Sequence, residues 1–120
     1  MKKVYIAHPL RGGTRDVRVI AQNVEAISGL CRALAETEPE LLIISPVHAF
    51  SFVSPLGPQG WVLKECLELL SLADEVWVFG DWESSEGCQM EIEHRRDESH
   101  DRPRFPEPAG RHFQFSPNAV

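Results

Sequence analysis

The sequence predicts a single α/β domain built around a parallel β-sheet. Three short runs, two of them uniformly apolar and the third apolar after its first residue, alternate with two longer stretches in which apolar residues recur at helical spacing. Uniformly apolar runs are typical of strands buried on both faces, and strands that alternate with helices imply parallel βαβ units. The 120 residues suit one domain, with residues 1–98 as the predicted α/β body and residues 99–120 as a tail.

The first two elements follow from the apolar pattern. The run Val4-Tyr5-Ile6-Ala7 is the first predicted strand, and it ends at His8-Pro9. After the turn Arg11-Gly12-Gly13, Thr14 is a candidate N-cap for a helix that runs to about Ala35. The helix has one apolar stripe, formed by Val17, Ile20, Ala21, Val24, Ile27, Leu30, Cys31 and Leu34.

The middle of the chain repeats the alternation. Leu41-Leu42-Ile43-Ile44 is the second predicted strand, and residues 46–60 form a long connection rich in Pro and Gly, of the kind more often found in lids and binding loops. A second helical stripe, residues 61–72, precedes the third strand, Glu75-Val76-Trp77-Val78-Phe79. A further helix is predicted to begin at Ser84 or Ser85.

The tail after Arg96 differs in composition from the body. It holds four of the nine prolines and few apolar residues. A short fourth strand is predicted at Arg104-Phe105, and Phe113 and Phe115 are candidates to pin the chain end to the body or to a neighbouring subunit.

Charge and composition exclude several classes of partner. The net charge of −6 argues against a nucleic-acid groove or an anionic membrane surface, because both require a dense field of Lys and Arg. No segment approaches the roughly 20 apolar residues of a membrane-spanning helix, and the cytoplasm is the expected location. Three cysteines without a CxxC spacing and five scattered histidines predict reduced thiols, no structural metal and no cofactor.

Ligands of parallel α/β sheets bind at the carboxyl ends of the strands. The residues expected there are 8–13, 45–48 and 80–91. Within the first segment, Arg11 and two glycines precede a helix N-terminus, which is a pattern suited to phosphate, and Arg15 and Arg18 lie nearby. The alternative is an ordinary strand-to-helix turn.

The segment 81–91 is the densest polar stretch at a predicted strand end. Helical spacing places Gly87 and Glu91 on one face, so the small residue leaves room for a ligand beside the Glu91 carboxylate. That arrangement suits a buried nucleophile or a ribose clamp, and its alternative is a solvated acidic helix start. His8 and His48 both follow strands and are candidate proton shuttles, or alternatively hydrogen-bonding spacers.

Four segments together resemble a small domain family of unknown function within the nucleoside 2-deoxyribosyltransferase-like superfamily. They are Tyr5-Ile6-Ala7-His8-Pro9-Leu10-Arg11-Gly12, the helix that carries Asn23, Ser45-Pro46-Val47-His48 and Trp82-Glu83-Ser84-Ser85-Glu86-Gly87-Cys88-Gln89-Met90-Glu91. Arg11-Gly12-Gly13 is also similar to the 2′-deoxynucleoside 5′-phosphate N-hydrolases and pyrimidine-nucleotide N-glycosidases of that superfamily. The resemblance covers roughly residues 3–94.

The resemblance implies a flavodoxin-like (Rossmann-like) parallel sheet of four to five strands with helices on both faces. It also implies cleavage of a nucleoside N-glycosidic bond, with a nucleoside or nucleotide as the small-molecule partner. In the resembling enzymes the Glu of a Gly-x-x-x-Glu motif attacks the anomeric carbon, and Gly87 and Glu91 match that motif. Ser85 and the Arg11-Gly12-Gly13 turn match the residues that hold the 5′-phosphate.

One departure from the resembling enzymes leaves a second function open. An acidic residue on the helix before the third strand aligns with Cys66, and Asp81 or His8 are candidates to take its place. The alternative is a non-catalytic nucleotide-binding or sensor module on the same fold, and a further rival is a protein-interaction module that uses residues 46–60. Because the relatives are commonly dimers whose tails complete the neighbour's pocket, a homodimer is expected.

Overall fold

The structure is a computed structural model that describes residues 1–11 and 13–98. The strands are β1 (Lys2–Ala7), β2 (Leu41–Ile44) and β3 (Glu75–Val78), and they form one parallel sheet in the order β2–β1–β3. The helices are α1 (Val17–Thr37), α2 (Pro46–Ala49), α3 (Gly60–Ser71) and α4 (Glu86–Glu98). A 3₁₀ helix, Trp82–Ser84, connects β3 to α4. The predicted α/β domain with a parallel sheet is confirmed.

Helices cover both faces of the sheet. Side chains alternate along the central strand β1, so Val4 and Ile6 point to one face while Tyr5 and Ala7 point to the other. The first face packs against α1 through Leu30, Leu34, Trp77 and Phe79. The second face packs against α3 and α4 through Leu70, Ala73, Val76, Val78, Cys88 and Ile92. Because both faces of the central strand are buried from Val4 to Ala7, that run is apolar without alternation, as its sequence indicated.

The register of the sheet brings the ends of the strands together. Tyr5 lies beside Ile44 of β2 and Val76 of β3, and Ala7 lies beside Val78. Since the strands are parallel and end at nearly the same level, the segments after β1, β2 and β3 emerge at one edge of the sheet. This carboxyl edge is where the sequence places the polar residues.

The start of α1 differs from the prediction. The N-cap is Asp16 rather than Thr14, because Asp16 Oδ1 accepts the N–H of Arg18 at 2.9 Å. Thr14 Oγ1 instead accepts the N–H of Asp16 at 3.0 Å, which places it in the turn before the helix. A carboxylate therefore already occupies the N-terminus of α1, where it is favourable for the helix dipole.

The other boundaries are close to those expected. The helix α1 continues two residues beyond Ala35 to Thr37, and the start of the predicted loop 46–60 folds into α2 with Pro46 in its first turn. The last helix begins after Ser85, as predicted. Within residues 1–11 and 13–98, no helix is both long and apolar enough to cross a membrane.

Several predictions about the tail lie outside the described residues. These are the tail itself, the short strand at Arg104-Phe105 and the contacts of Phe113 and Phe115. The sheet of four to five strands with flavodoxin-like topology therefore stays a prediction, and the described part is a three-stranded parallel sheet with helices on both faces.

A buried arginine fixes α4 against the end of α3. Arg95 is 4% exposed, and its guanidinium donates to the carbonyl oxygens of Ala73 at 2.9 Å and Asp74 at 2.6 Å, with a longer bond to Leu70 at 3.4 Å. These carbonyls lie at the end of α3 and in the turn after it, where a helix leaves backbone acceptors without intrahelical partners. Arg95 therefore sets how α4 lies on the sheet, and with it the position of Glu91 one turn earlier.

Candidate functional site

The centre of the site is a buried carboxyl group. Glu91 in α4 is 7% exposed, and the hydroxyl of Tyr5 in the central strand donates a hydrogen bond to its Oε2. The alternative of a solvated acidic helix start is wrong for Glu91, although it describes its exposed neighbours Glu83 and Glu86. A buried carboxyl group costs free energy unless it is compensated, so its presence in α4 needs an explanation.

The surroundings of Glu91 favour its protonated form. Burial raises the pKa of Glu91 to about 7, although the hydrogen bond from Tyr5 acts in the opposite direction. Within the part of the chain that the structure describes, no lysine, arginine or histidine forms an ion pair with this carboxyl group. Burial and the charge of Glu91 likewise raise the pKa of Tyr5, so the phenol stays a hydrogen-bond donor. Glu91 can therefore exchange a proton near neutral pH.

Two thiols flank the carboxyl group. Burial, together with the charge of Glu91, raises the pKa of Cys66 to about 11 and that of Cys88 to about 12. Both thiols are therefore neutral at physiological pH and are poor nucleophiles. Cys66 also interacts with Tyr5, so its thiol lies beside the Tyr5–Glu91 pair.

The start of α4 presents small and polar groups next to this pair. Ser85 is 7% exposed, and its Oγ accepts the N–H of Cys88 at 3.2 Å as the N-cap of the helix. A Cβ built on Gly87 would lie 3.7 Å from Leu63 Cδ2 and 4.0 Å from Ser85 Oγ. These are ordinary contact distances, so neither packing nor backbone conformation requires a glycine at position 87. Position 87 therefore has room for a methyl group beside Leu63 and Ser85.

His8 is held at the end of β1 by its neighbours. Its Nδ1 lies 2.7 Å from the carbonyl oxygen of Pro9, and because a carbonyl only accepts, Nδ1 carries the proton. In the neutral ring Nε2 is therefore an acceptor, and burial lowers the pKa of His8. Gly80 has φ of +70°, and a Cβ there would lie 3.0 Å from His8 Nε2, so glycine is needed both for the turn and for the imidazole.

In the turn predicted to bind phosphate, Arg11 and Arg15 donate hydrogen bonds to backbone carbonyl oxygens. Arg11 Nη1 donates to the carbonyl oxygen of Pro55 at 3.0 Å, and Arg15 Nη2 donates to that of Leu56 at 3.2 Å. Gly13 has φ of +86°, which accounts for glycine at that position, while Gly12 lies outside the described residues. Because Asp16 caps α1, a role for this turn in anion binding rests on its guanidinium groups rather than on the helix N-terminus.

The remaining predicted residues are hydrogen-bonded to groups other than Glu91. Asp81 is exposed, and its carboxylate accepts the hydroxyl of Ser84 at 2.7 Å. His48 lies between two hydroxyls, with Nε2 at 2.8 Å from Ser28 Oγ and Nδ1 at 2.6 Å from Ser45 Oγ. Ser28 belongs to α1, which covers the face of the sheet opposite α4. The structure therefore gathers Ser85, Gly87 and Glu91 but not His48.

Sequence reasoning missed Tyr5 as a site residue. It lies in an apolar run, and the pattern of that run indicates only a buried strand. The one available signal is that a tyrosine in a strand buried on both faces needs a partner for its hydroxyl, and such partners are polar residues of an adjacent element.

Comparisons of this chain with protein-family models, with curated proteins and with solved structures give no match. Among residues 1–11 and 13–98, no group of three or more His, Cys, Asp or Glu side chains is placed to hold a metal ion.

Proposed function

We propose that this protein cleaves the N-glycosidic bond of a nucleoside or nucleotide, with Glu91 as the nucleophile. The observation that carries the proposal is the environment of Glu91: a buried carboxyl group with a pKa of about 7 that accepts a hydrogen bond from Tyr5 and lies one helical turn after the small residue Gly87. A carboxyl group that served only the fold would be expected to have a cationic partner or an exposed position.

The hydrogen bond from Tyr5 suits a nucleophilic carboxylate. Tyr5 engages Oε2, so Oε1 is the oxygen that would attack the anomeric carbon. In that step the new C–O bond forms as the C–N bond breaks, and the departing base takes the bonding electron pair and a proton. Water or a second base then attacks the same carbon and releases Glu91 as a carboxylate. Positive charge at the anomeric carbon is stabilised by the carboxylate, as in retaining glycosidases.

Ser85 and the first turn of α4 support binding of the 5′-phosphate. The N–H groups of Glu86 and Gly87 lie in the first turn of the helix, before the first intrahelical acceptor is available, and their dipoles favour an anion. Arg11, with Gly12 and Gly13 beside it, would supply positive charge from the turn after β1. In this arrangement the phosphate is held one to two turns before Glu91, and the sugar lies between them.

His8 is the better candidate to accept a proton from the water that attacks the glycosyl ester, while the departing base takes its proton from solvent. Its Nε2 is an acceptor in the neutral ring and lies at the end of β1, whereas Asp81 is engaged with Ser84. Homodimer formation, with Phe113 and Phe115 of the tail completing the neighbour's pocket, and a cytoplasmic location are further parts of this proposal.

The second candidate function is a nucleotide-binding module without turnover. The observation that favours it is Cys66, whose neutral thiol lies beside Tyr5 and Glu91 where the resembling enzymes carry an acid. Such a module would use the same phosphate and sugar contacts without breaking the glycosidic bond.

Incubation with ribo- and deoxyribonucleosides and their 5′-monophosphates, followed by measurement of free base, distinguishes the two functions. The enzyme releases base from at least one compound, Glu91→Gln abolishes that release, and Glu93→Gln, which removes a charge from an exposed position of the same helix, does not. Saturable binding of a monophosphate without release would favour the binding module. A protein-interaction module would show neither release nor a nucleotide-dependent rise in melting temperature.

A further inference from the structure

We propose that residues 50–59 form a strap that Arg11 and Arg15 fasten to the turn after β1, and that an anionic substrate bound at Arg11 locks this strap closed. The fastening is a property of the free protein. The locking rests on the proposed function, because it requires a phosphate-bearing substrate at Arg11.

The strap is organised by its own hydrogen bonds. Gly57 N–H donates to the carbonyl oxygen of Ser54 at 3.1 Å, and Leu56 N–H donates to Ser54 Oγ at 3.2 Å. The side-chain amide of Gln59 donates to the carbonyls of Ser54 at 3.0 Å and Gly57 at 2.9 Å. A segment tied together in this way moves as one piece rather than residue by residue.

Two arginines of a single turn fasten the strap at adjacent positions. Arg11 donates to the carbonyl oxygen of Pro55, and Arg15 donates to that of the next residue, Leu56. Among the described residues, no other side chain outside the strap donates a hydrogen bond to it. The third arginine, Arg18, instead pairs with Asp16 at 3.5 Å and is highly exposed. The strap is thus closed by two charge-assisted bonds, which are stronger than bonds between neutral groups.

The ends of the strap connect it with the candidate site. Its first residue, Phe50, and its third, Phe52, contact Trp61 edge to face, with ring centroids 5.9 and 6.4 Å apart. Trp61 lies in the first turn of α3, and two residues further on Leu63 lies against Gly87 of α4, where a Cβ would be 3.7 Å from Leu63 Cδ2. The strap therefore spans from the Arg11 turn to the helix that borders the site.

The chemistry of the guanidinium group couples the strap to a ligand. A guanidinium has five N–H donors in a fixed fork, and Pro55 uses Nη1 of Arg11. A phosphate that takes the remaining donors would hold the guanidinium in place and so strengthen its bond to the strap. An anionic substrate would therefore reduce opening of the strap, whereas a neutral nucleoside would not.

Limited digestion with chymotrypsin, which cleaves after Phe50 and Phe52, tests both parts, with each cleavage site identified by fragment mass. In the free protein, Arg15→Gln should speed cleavage at these two sites on the order of 3- to 10-fold, because one charge-assisted bond is lost. Arg18→Gln removes the same charge three residues away and should leave the rate unchanged. Equal rates for the two variants would overturn the fastening.

The locking is tested by the same digestion of the wild-type protein with one compound added at a time. The compounds are inorganic phosphate, the four deoxyribonucleoside 5′-monophosphates and the parent nucleosides. We expect at least one monophosphate to slow cleavage several-fold at saturation while its parent nucleoside does not. If none of the monophosphates slows cleavage, whether or not it binds, the locking is wrong. A monophosphate that slows cleavage without release of base would support the locking of the strap and contradict the proposed enzyme.

Discussion

Replacement of Glu91 by glutamine should make the protein more stable at alkaline pH than the wild type. Burial raises the pKa of Glu91 from an ordinary value of 4.5 to about 7, so between these values the unfolded chain loses a proton that the folded chain keeps. The raised pKa therefore contributes stability that is fully present below pH 4.5 and is lost as the pH rises through 7. Over that interval the loss amounts to about 3 kcal/mol.

The Glu91→Gln variant lacks this dependence because its amide does not titrate, while its oxygen still accepts the hydrogen bond from Tyr5. Urea unfolding at a series of pH values from about 4 to about 8 measures the effect as the difference between wild type and variant, in which the contributions of all other groups cancel. We expect the variant to gain about 3 kcal/mol relative to the wild type across the series. The exposed-site control Glu93→Gln should follow the wild-type curve. Parallel curves for wild type and Glu91→Gln would refute the buried, uncompensated carboxyl group.

Three further predictions concern the same part of the molecule. The value of kcat/KM for base release should rise with pH through about 7 as Glu91 loses its proton. Tyr5→Phe should move that rise to higher pH, because the hydrogen bond that it removes lowers the pKa of Glu91 in the wild type. A pH-rate profile of both proteins checks this. Gly87→Ala should leave the free energy of unfolding unchanged or raise it by up to about 1 kcal/mol, measured by urea unfolding. The same substitution should weaken nucleotide binding about tenfold or more, measured by ligand titration. Arg95→Met should lower the free energy of unfolding, measured in urea, by about 2–3 kcal/mol, because buried carbonyls after α3 lose their donor. The control Arg96→Met, at an exposed position, should change it by less than about 0.5 kcal/mol.

The apolar pattern was sufficient to predict the sheet and the edge where polar residues gather. The run Val4-Tyr5-Ile6-Ala7 has no polar alternation because both faces of β1 are covered, and this is visible in the sequence. The pairing of Gly87 and Glu91 on one face of a helix follows from helical geometry. Helical geometry does not determine whether Glu91 faces solvent or the sheet. The local charge density favours the solvated interpretation, and only the packing of α4 decides the outcome.

Contacts between distant segments could not be predicted. The choice of Asp16 over Thr14 as the cap of α1 depends on how the turn after β1 lies, since both residues are good N-caps. The bonds from Arg11 to Pro55 and from Ser28 to His48 join residues far apart in the sequence. A guanidinium or imidazole that could bind a ligand can equally bind a backbone carbonyl or a hydroxyl, and residue type does not distinguish these outcomes.

The central claim is that the carboxylate of Glu91 breaks an N-glycosidic bond. The most direct measurement is the initial rate of free-base release from the best compound of the nucleoside and nucleotide panel, compared between wild type and Glu91→Gln at a pH above 7. We predict release by the wild type and a loss on the order of a thousandfold or more in the variant, which keeps the hydrogen bond with Tyr5 but has no nucleophile. Equal rates for the two proteins, or no release by the wild type from any compound, would contradict it.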